Sequence, residues 1–244
     1  SKRKMINDVS KAYRAEGKPV IAVLNVEGAL ETASWEDKVD GILLGWQPGQ
    51  ELGNSVADVL TGKVNPSGKL SQTFPVDYAD LPYADSYPVA NNEFTYEEDI
   101  YVGYRYNSTF GLKPAYEFGY GLSYTTFDYD SVRVNRNGQL KDKITVFATV
   151  ENTGDVAGRE AVQVYVSAPD GKLEKPELEL KAFAKTNELR PGKKENLTFD
   201  LDLKDLASFD EEKSAWVVEK GTYEVLVGAS STDIRGAASF KVDK

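Results

Sequence analysis

The chain of 244 residues contains no cysteine and no histidine. The first absence excludes a disulfide framework, a thiolate metal site and a cysteine nucleophile. The second excludes histidine triads, zinc–histidine sites and imidazole acid–base chemistry. Polar chemistry is left to carboxylates, tyrosines and hydroxyls. Positive charge is also short: 29 Lys and Arg stand against 39 Asp and Glu, a net charge of −10. Nucleic acid and anionic membranes both need clustered positive charge, so neither is an expected partner. No apolar run approaches the roughly 18 residues of a membrane span. The polar start Ser1-Lys2-Arg3-Lys4 does not read as a signal peptide. The lack of cysteine fits the cytosol and is compatible with export.

Charge and aromatics are unevenly placed. Residues 51–100 hold nine acids (Glu51, Asp58, Asp77, Asp80, Asp85, Glu93, Glu97, Glu98, Asp99) and two lysines (Lys63, Lys69), which is −7 of the total −10. Eleven of the 14 tyrosines lie between Tyr78 and Tyr129.

Residues 2–16 read as a helix: Met5, Ile6, Val9 and Tyr13 recur at spacings of three and four, and Gly17 and Pro19 stop it. Val20–Leu24 is an unbroken apolar run, as in a parallel strand buried on both faces. Ser34 is placed to cap a short helix through Lys38, and Gly41–Leu44 is a second short buried strand. A second helix is expected from after Pro48-Gly49 to about Thr61, then a turn at Asn65–Gly68 and a strand over Lys69–Phe74. Residues 1–75 thus alternate helix and strand, the α/β signature. Three strands are too few for an open parallel sheet, so this half is expected to be incomplete and to pack on something outside the chain. Residues 76–126 show no sustained period. Prolines 75, 82, 88 and 114, with tyrosines, acids, Phe94, Phe110 and Phe118, mark an extended but ordered connector.

From about Phe127 the period changes to two. Ile144/Val146/Ala148/Val150, Val162/Val164/Val166, Leu197/Phe199/Leu201 and Tyr223/Val225/Val227 alternate with polar or threonine positions. Asn137-Gly138, Asn152–Asp155, Asp170-Gly171, Pro191-Gly192 and Lys220-Gly221 separate them. With Asp130–Val134, Leu180–Phe183 and Ala238–Val242 there are about seven strands. That predicts an immunoglobulin-like or fibronectin-III-like sandwich without a disulfide.

Four segments invite chemistry. Trp46–Gly53 joins a strand's carboxyl end to a helix, where open α/β sheets bind ligands; the favoured reading is a tight turn with Glu51 in the first helical turn. It carries no Walker or dinucleotide fingerprint. Tyr96-Glu97-Glu98-Asp99 offers carboxylates, but consecutive acids in an extended segment alternate sides, the wrong geometry for a glycosidase pair. Tyr101–Tyr106 (YVGYRY) reads as an aromatic platform for a sugar or as packing between domains, and Glu117–Tyr124 (EFGYGLSY) as a structural joint. Asn107-Ser108-Thr109 and Asn196-Leu197-Thr198 are sequons that matter only in a glycosylating compartment.

At these residues the chain resembles the carboxyl-terminal part of family 3 glycoside hydrolases of the β-glucosidase type. The matching segments are Ile42–Gly53 (ILLGWQPGQELG), Ala57–Leu70 (ADVLTGKVNPSGKL), Thr73-Phe74-Pro75, Tyr96–Tyr106 (YEEDIYVGYRY), Pro114–Phe127 (PAYEFGYGLSYTTF) and Asn152–Tyr165 (NTGDVAGREAVQVY). The resemblance implies a barrel, an α/β sandwich and a fibronectin-III-like domain. This chain would supply the second half of the α/β sandwich (1–75), the tyrosine-rich connector (76–126) and the whole fibronectin-like domain (127–244). In the family a barrel aspartate is the nucleophile, and a glutamate in a Ser-Gly-Glu-Gly-like stretch early in the α/β sandwich is the acid/base. No such stretch occurs here; Glu16-Gly17 and Glu27-Gly28 do not match its position, so no residue of this chain is assigned to catalysis. The family's histidine-dependent variant is excluded for this chain. Two departures are local: Tyr106-Asn107-Ser108 replaces a frequent Tyr-Tyr-Asp, and Glu27 stands where glycine is common.

The implied function is that of a carboxyl-terminal segment of a retaining, exo-acting β-glucosidase-like hydrolase, shaping the cleft beside a catalytic barrel carried elsewhere. No cofactor or metal is implied. The implied partners are the barrel-containing part and a glycoside or oligosaccharide, with a homodimer as a further option. A non-catalytic carbohydrate-binding or dimerisation module is the alternative.

Overall fold

In the computed structural model, which describes residues 2–86, 93, 95–136 and 142–243, the chain forms two units. One comprises residues 1–64, 73–95 and 113–116, the other 65–72, 96–112 and 117–244. The 76–126 segment is therefore divided between them.

The first unit opens with α1 (Lys2–Arg14), β1 (Ile21–Leu24), β2 (Gly41–Leu44) and α2 (Leu52–Leu60). β1 and β2 pair in parallel, Ile21 opposite Gly41 through Leu24 opposite Leu44. Both helices follow the apolar spacing of their sequences. The pleat of β1 differs from expectation: Ile21 and Val23 are 46% and 42% exposed instead of buried, because the described residues of this unit leave that side of the strand uncovered. Met5 and Val9 of α1 are likewise 61% and 40% exposed. Two further expectations fail. Ser34 does not cap the turn at Glu36–Lys38; its amide and hydroxyl both donate to the Glu31 carboxylate, at 2.6 and 2.8 Å. Lys69–Phe74 is not a strand. Leu70 exchanges backbone bonds with Gly119 and Tyr120 in the second unit, while Phe74 makes only an isolated bridge to Tyr116 in the first. No ladder continues across a segment whose backbone partners change midway.

The second unit carries α3 (Tyr104–Phe110) and the strands β3 (Phe127–Arg136), β4 (Lys143–Asn152), β5 (Ala161–Ser167), β6 (Glu179–Lys185), β7 (Lys194–Asp202), β8 (Ser208–Asp210), β9 (Ala215–Val217), β10 (Gly221–Gly228) and β11 (Ile234–Val242). The long strands form a four-stranded sheet, β11-β10-β5-β6, and a three-stranded sheet, β3-β4-β7. The seven expected strands are all present; the Asn137-Gly138 turn, Tyr87, Pro88 and Phe94 lie outside the described residues. Period-two residues meet in one core: Ile144, Val146, Ala148 and Val150 of β4, Val162, Val164 and Val166 of β5, Phe199 and Leu201 of β7, and Tyr223, Val225 and Val227 of β10. Each fully buried aliphatic side chain contributes about 1.5–3 kcal/mol of transfer free energy. The β8–β9 hairpin is too short for a periodicity to reveal.

β5 departs from strict alternation, because Gln163 and Tyr165 are buried as well as the valines. A second layer made of α3 and residues 117–124 covers its other face. Tyr104 stacks on Phe118 at 4.6 Å and meets Tyr165 edge-on at 5.9 Å. The Tyr165 hydroxyl donates to Gln163 Oε1 at 2.6 Å, and Gln163 Nε2 donates to the carbonyls of Gly119 and Ala229. Burial pushes the Tyr165 phenol far above its ordinary range. It therefore acts as a fixed donor, not an acid.

A carboxylate clasp holds the 169–175 loop of this unit. Glu219 accepts from Lys175 Nζ and from the amides of Lys172 and Leu173. Partial burial raises the Glu219 carboxyl, but these donors outweigh it and leave it below the ordinary glutamate range. A depressed folded-state pKa adds stability above the unfolded-state pKa, and that stability is lost as pH falls through the folded-state value. Glu219→Gln is expected to lower the melting temperature at pH 7 by a few degrees, with the difference from wild type shrinking as pH falls through the folded-state value. Melting curves over pH 3–7 test this; a constant offset throughout would remove the clasp from the account.

Candidate functional site

In an open α/β sheet the carboxyl ends of the strands form the ligand-facing rim. In the first unit that rim follows Leu24 and Leu44, and Gly45 N–H donates to the Leu24 carbonyl at 2.9 Å. The next residue, Trp46, adopts a positive φ of 52°, a left-handed conformation costing about 1–3 kcal/mol in a non-glycine residue. Surrounding contacts hold it. The indole packs edge-on to Phe74 at 6.4 Å, and Phe74, nearly fully buried, packs edge-on to Tyr116 at 6.4 Å. The Phe74 amide donates to the Tyr116 carbonyl at 2.8 Å, and the Phe74 carbonyl accepts from Ala115 and Tyr116. Beside it the Thr73 hydroxyl is buried without a partner. The Trp46–Gly53 segment is thus a strained turn displaying a half-exposed indole, followed by a single helical turn at Gly49–Glu51. Glu51 accepts from Asn54 Nδ2 at 2.7 Å. These groups can form an aromatic and hydroxyl wall; they supply no acid/base pair.

The remaining motifs organise the second unit. In Tyr101–Tyr106, Tyr104 accepts from Leu180 N–H at 2.7 Å and Arg105 pairs with Glu179 at 2.9 Å. These side chains pack within the fibronectin-like unit and do not form an open platform. Of the 96–99 run, Asp99 has a positive φ of 46° and one Glu98 oxygen is buried without a partner. The Glu117–Tyr124 glycines serve close packing: a Cβ on Gly119 would lie 2.0 Å from Gln163 Oε1, and one on Gly121 would lie 2.2 Å from the Gly68 carbonyl oxygen. Glu160 is buried, accepting from Tyr129 at 2.9 Å and pairing with Lys69 at 3.3 Å. The sequon residue Asn107 lies in α3 and donates to the Leu112 carbonyl; Asn196 accepts from Thr149 across the β4–β7 pair. Glu16 and Glu27 are both exposed. Among the described residues no three His, Cys, Asp or Glu side chains are grouped to hold a metal.

Sequence reasoning missed two features. One is an exposed edge-on pair, Phe209 and Trp216, on the β8–β9 hairpin at 5.5 Å. The other is a cleft on the outer face of the three-stranded sheet. Both lie at outward positions of strands, where period-two patterning says only that a residue faces away from the core.

The family model for the glycosyl hydrolase family 3 C-terminal domain matches residues 2–124, and that for the fibronectin type III-like domain matches residues 160–231. The chain belongs to glycosyl hydrolase family 3. Structurally it is similar to β-glucosidase 3B of Thermotoga neapolitana, at 51% identity and a TM-score of 0.93, covering 99% of this chain and 33% of that one. Among curated relatives it is 42% identical to a β-glucosidase of Kluyveromyces marxianus, over 99% of this chain and 28% of the relative. It is also 41% identical to an exo-alpha-(1->6)-L-arabinopyranosidase of Bifidobacterium breve, over 90% of this chain and 29% of the relative. The chain spans about 30% of the length of the curated relatives it matches. The α/β fold followed by a fibronectin-like sandwich is therefore that of the carboxyl-terminal part of family 3 enzymes.

Proposed function

We propose that this chain works as the carboxyl-terminal part of a retaining, exo-acting β-glucosidase, in which another segment or subunit carries the catalytic barrel. One observation carries the reading. The chain matches β-glucosidases along nearly its whole length, yet spans only about 30% of theirs, and within it no carboxylate is assigned a catalytic role. The exposed side of β1 and the exposed stripe of α1 support it, as apolar surface that the rest of an α/β layer would bury. In this reading residues 1–75 complete that layer, 76–126 connect and 127–244 form the fibronectin-like domain. The reaction is double displacement through a glycosyl-enzyme intermediate, on two carboxylates about 5–5.5 Å apart that the partner segment contributes. This chain's part is the Trp46 wall of the cleft and support for the barrel. The substrates are β-glucosides or β-linked gluco-oligosaccharides; the arabinopyranosidase among its relatives agrees with the sugar being chosen by loops outside this chain.

The test is reconstitution. The purified 26.9 kDa chain, its mass verified, is expected to leave an aryl β-glucoside unhydrolysed. Co-expression with the polypeptide encoded upstream is expected to give an active assembly. Full activity of the chain alone would overturn the assignment of both carboxylates to another segment.

A further inference from the structure

The outer face of the β3-β4-β7 sheet carries a cleft of about 590 Å³ that no step of the proposed hydrolysis uses. Its size falls within the roughly 300–1,000 Å³ of small-molecule sites. Its side chains are chemically consistent: the hydroxyls of Ser131, Thr149 and Thr198, the Asn196 amide, the Arg133 guanidinium and the Phe147 ring, with no carboxylate. The chain around it carries a net charge of −10, so this carboxylate-free lining stands apart.

The backbone explains how it forms. β3 bulges between Asp130 and Arg133, where Ser131 takes a positive φ of 56° and its amide turns to the Asp130 carboxylate at 2.6 Å. A bulge bends its strand and re-aims the following side chain. Here Arg133 lies over the Phe147 ring, its guanidinium carbon 4.5 Å from the centroid. No carboxylate among the described residues pairs with Arg133, in contrast to Arg3, Arg14, Arg105 and Arg235. The ring holds the planar fork in place while its N–H donors stay open to a ligand. Across the cleft, Thr149 Oγ1 donates to Asn196 Oδ1 at 2.7 Å, which leaves the Asn196 NH₂ donors and the threonine lone pairs for a guest. Hydroxyl, amide and guanidinium groups set at strand spacing around an apolar ring edge, with no carboxylate among them, match a ligand with hydroxyls at its rim and C–H groups on its face.

We propose that this cleft is a non-catalytic binding site for a neutral saccharide. The choice of a saccharide rests on the reading of the assembly as a glycoside hydrolase; the site itself does not. The cleft would retain a β-linked oligosaccharide away from the catalytic centre.

The experiment is titration of the full chain, labelled with ¹⁵N, with cellotetraose, and with sodium glucuronate as an anionic control, up to about ten times a millimolar Kd. Saturable shifts at Thr149, Asn196 and Thr198 are expected with cellotetraose, and affinity at least tenfold weaker in Arg133→Ala. Thr198→Lys, at an exposed position that leaves the core untouched, is expected to block binding with the rest of the spectrum unchanged. No saturable shift, shifts confined to the Trp46 rim, or preferential binding of glucuronate would each overturn the proposal. None of these outcomes bears on hydrolysis by the reconstituted assembly, so the two readings fail separately.

Discussion

Asn152→Ala is expected to cost about 3–4 kcal/mol and to lower the melting temperature by about 10 °C. Asn152 is fully buried at the end of β4, and all four of its amide hydrogen-bonding positions are used. Oδ1 accepts from the Thr125 hydroxyl at 2.7 Å and from Gly154 N–H at 3.1 Å. Nδ2 donates to the carbonyls of Val156 at 2.8 Å and Leu189 at 2.7 Å. Alanine removes one partner from each bond and leaves buried groups behind, each costing about 1–3 kcal/mol when nothing replaces the bond. Part is recovered because Leu189 O also accepts from Gly158 N–H, and because the threonine hydroxyl can rotate. Asn152→Asp separates the two halves of the network: it keeps both acceptors but turns a carboxylate toward two carbonyls, so it too is expected to destabilise. Guanidinium unfolding of the three proteins reads this directly. A loss below about 1 kcal/mol for alanine would mean that the loop relaxes or that water takes the amide's place.

Gly121→Ala is expected to detach residues 65–72 from the fibronectin-like unit at a cost of about 3 kcal/mol. Gly121 has no positive φ, so its backbone would accept any residue. The obstacle is steric. A Cβ there would stand 2.2 Å from the Gly68 carbonyl oxygen and 3.0 Å from Lys69 Cδ. A backbone oxygen cannot rotate aside, so the segment must move. That breaks the Leu70 N–H to Tyr120 carbonyl and Gly119 N–H to Leu70 carbonyl bonds, both 2.8 Å. It also withdraws Lys69 from Glu160, taking from a buried carboxylate its ion-pair partner and leaving the Tyr129 hydroxyl bond and the weaker influence of Arg235. Removing one partner of a buried pair is costly because the remaining charge is uncompensated. Faster exchange of the Leu70 amide and cleavage within 65–72 by limited proteolysis are the expected signs. Gly53→Ala, in α2 with open space at its Cβ, is the control and is expected to be neutral or slightly stabilising.

The fibronectin-like strands were legible because each long strand repeats apolar residues at a period of two, and one face of each meets a common core. Glu117–Tyr124 reads from its glycines as sharp turns at a domain entry; the structure shows what those glycines serve, close packing of Gly119 on Gln163 and of Gly121 on the Gly68 carbonyl. Ser34 was misplaced because a hydroxyl suited to an N-cap is captured by Glu31, three residues earlier. Lys69–Phe74 resembled a strand in composition, but composition does not say which backbone lies beside it. The aromatic run Tyr101–Tyr106 was open between a sugar platform and packing, and the structure commits Tyr104 to the layer over β5.

The sequence by itself determined which side-chain chemistries this chain lacks and the two kinds of architecture it contains. These rest on local quantities: which side chains are absent, and the period with which apolar ones recur. Only the tertiary structure decided that the family's motifs in residues 117–124 and 152–165 are internal fastenings, through Gln163, Asn152 and Glu160. Only it placed Arg133, Phe147, Thr149 and Asn196 around one cleft. Those residues come from three strands up to 63 positions apart, numbered 133 to 196. Their meeting depends on sheet order, on register and on a single bulge, none of which leaves a local mark in the chain.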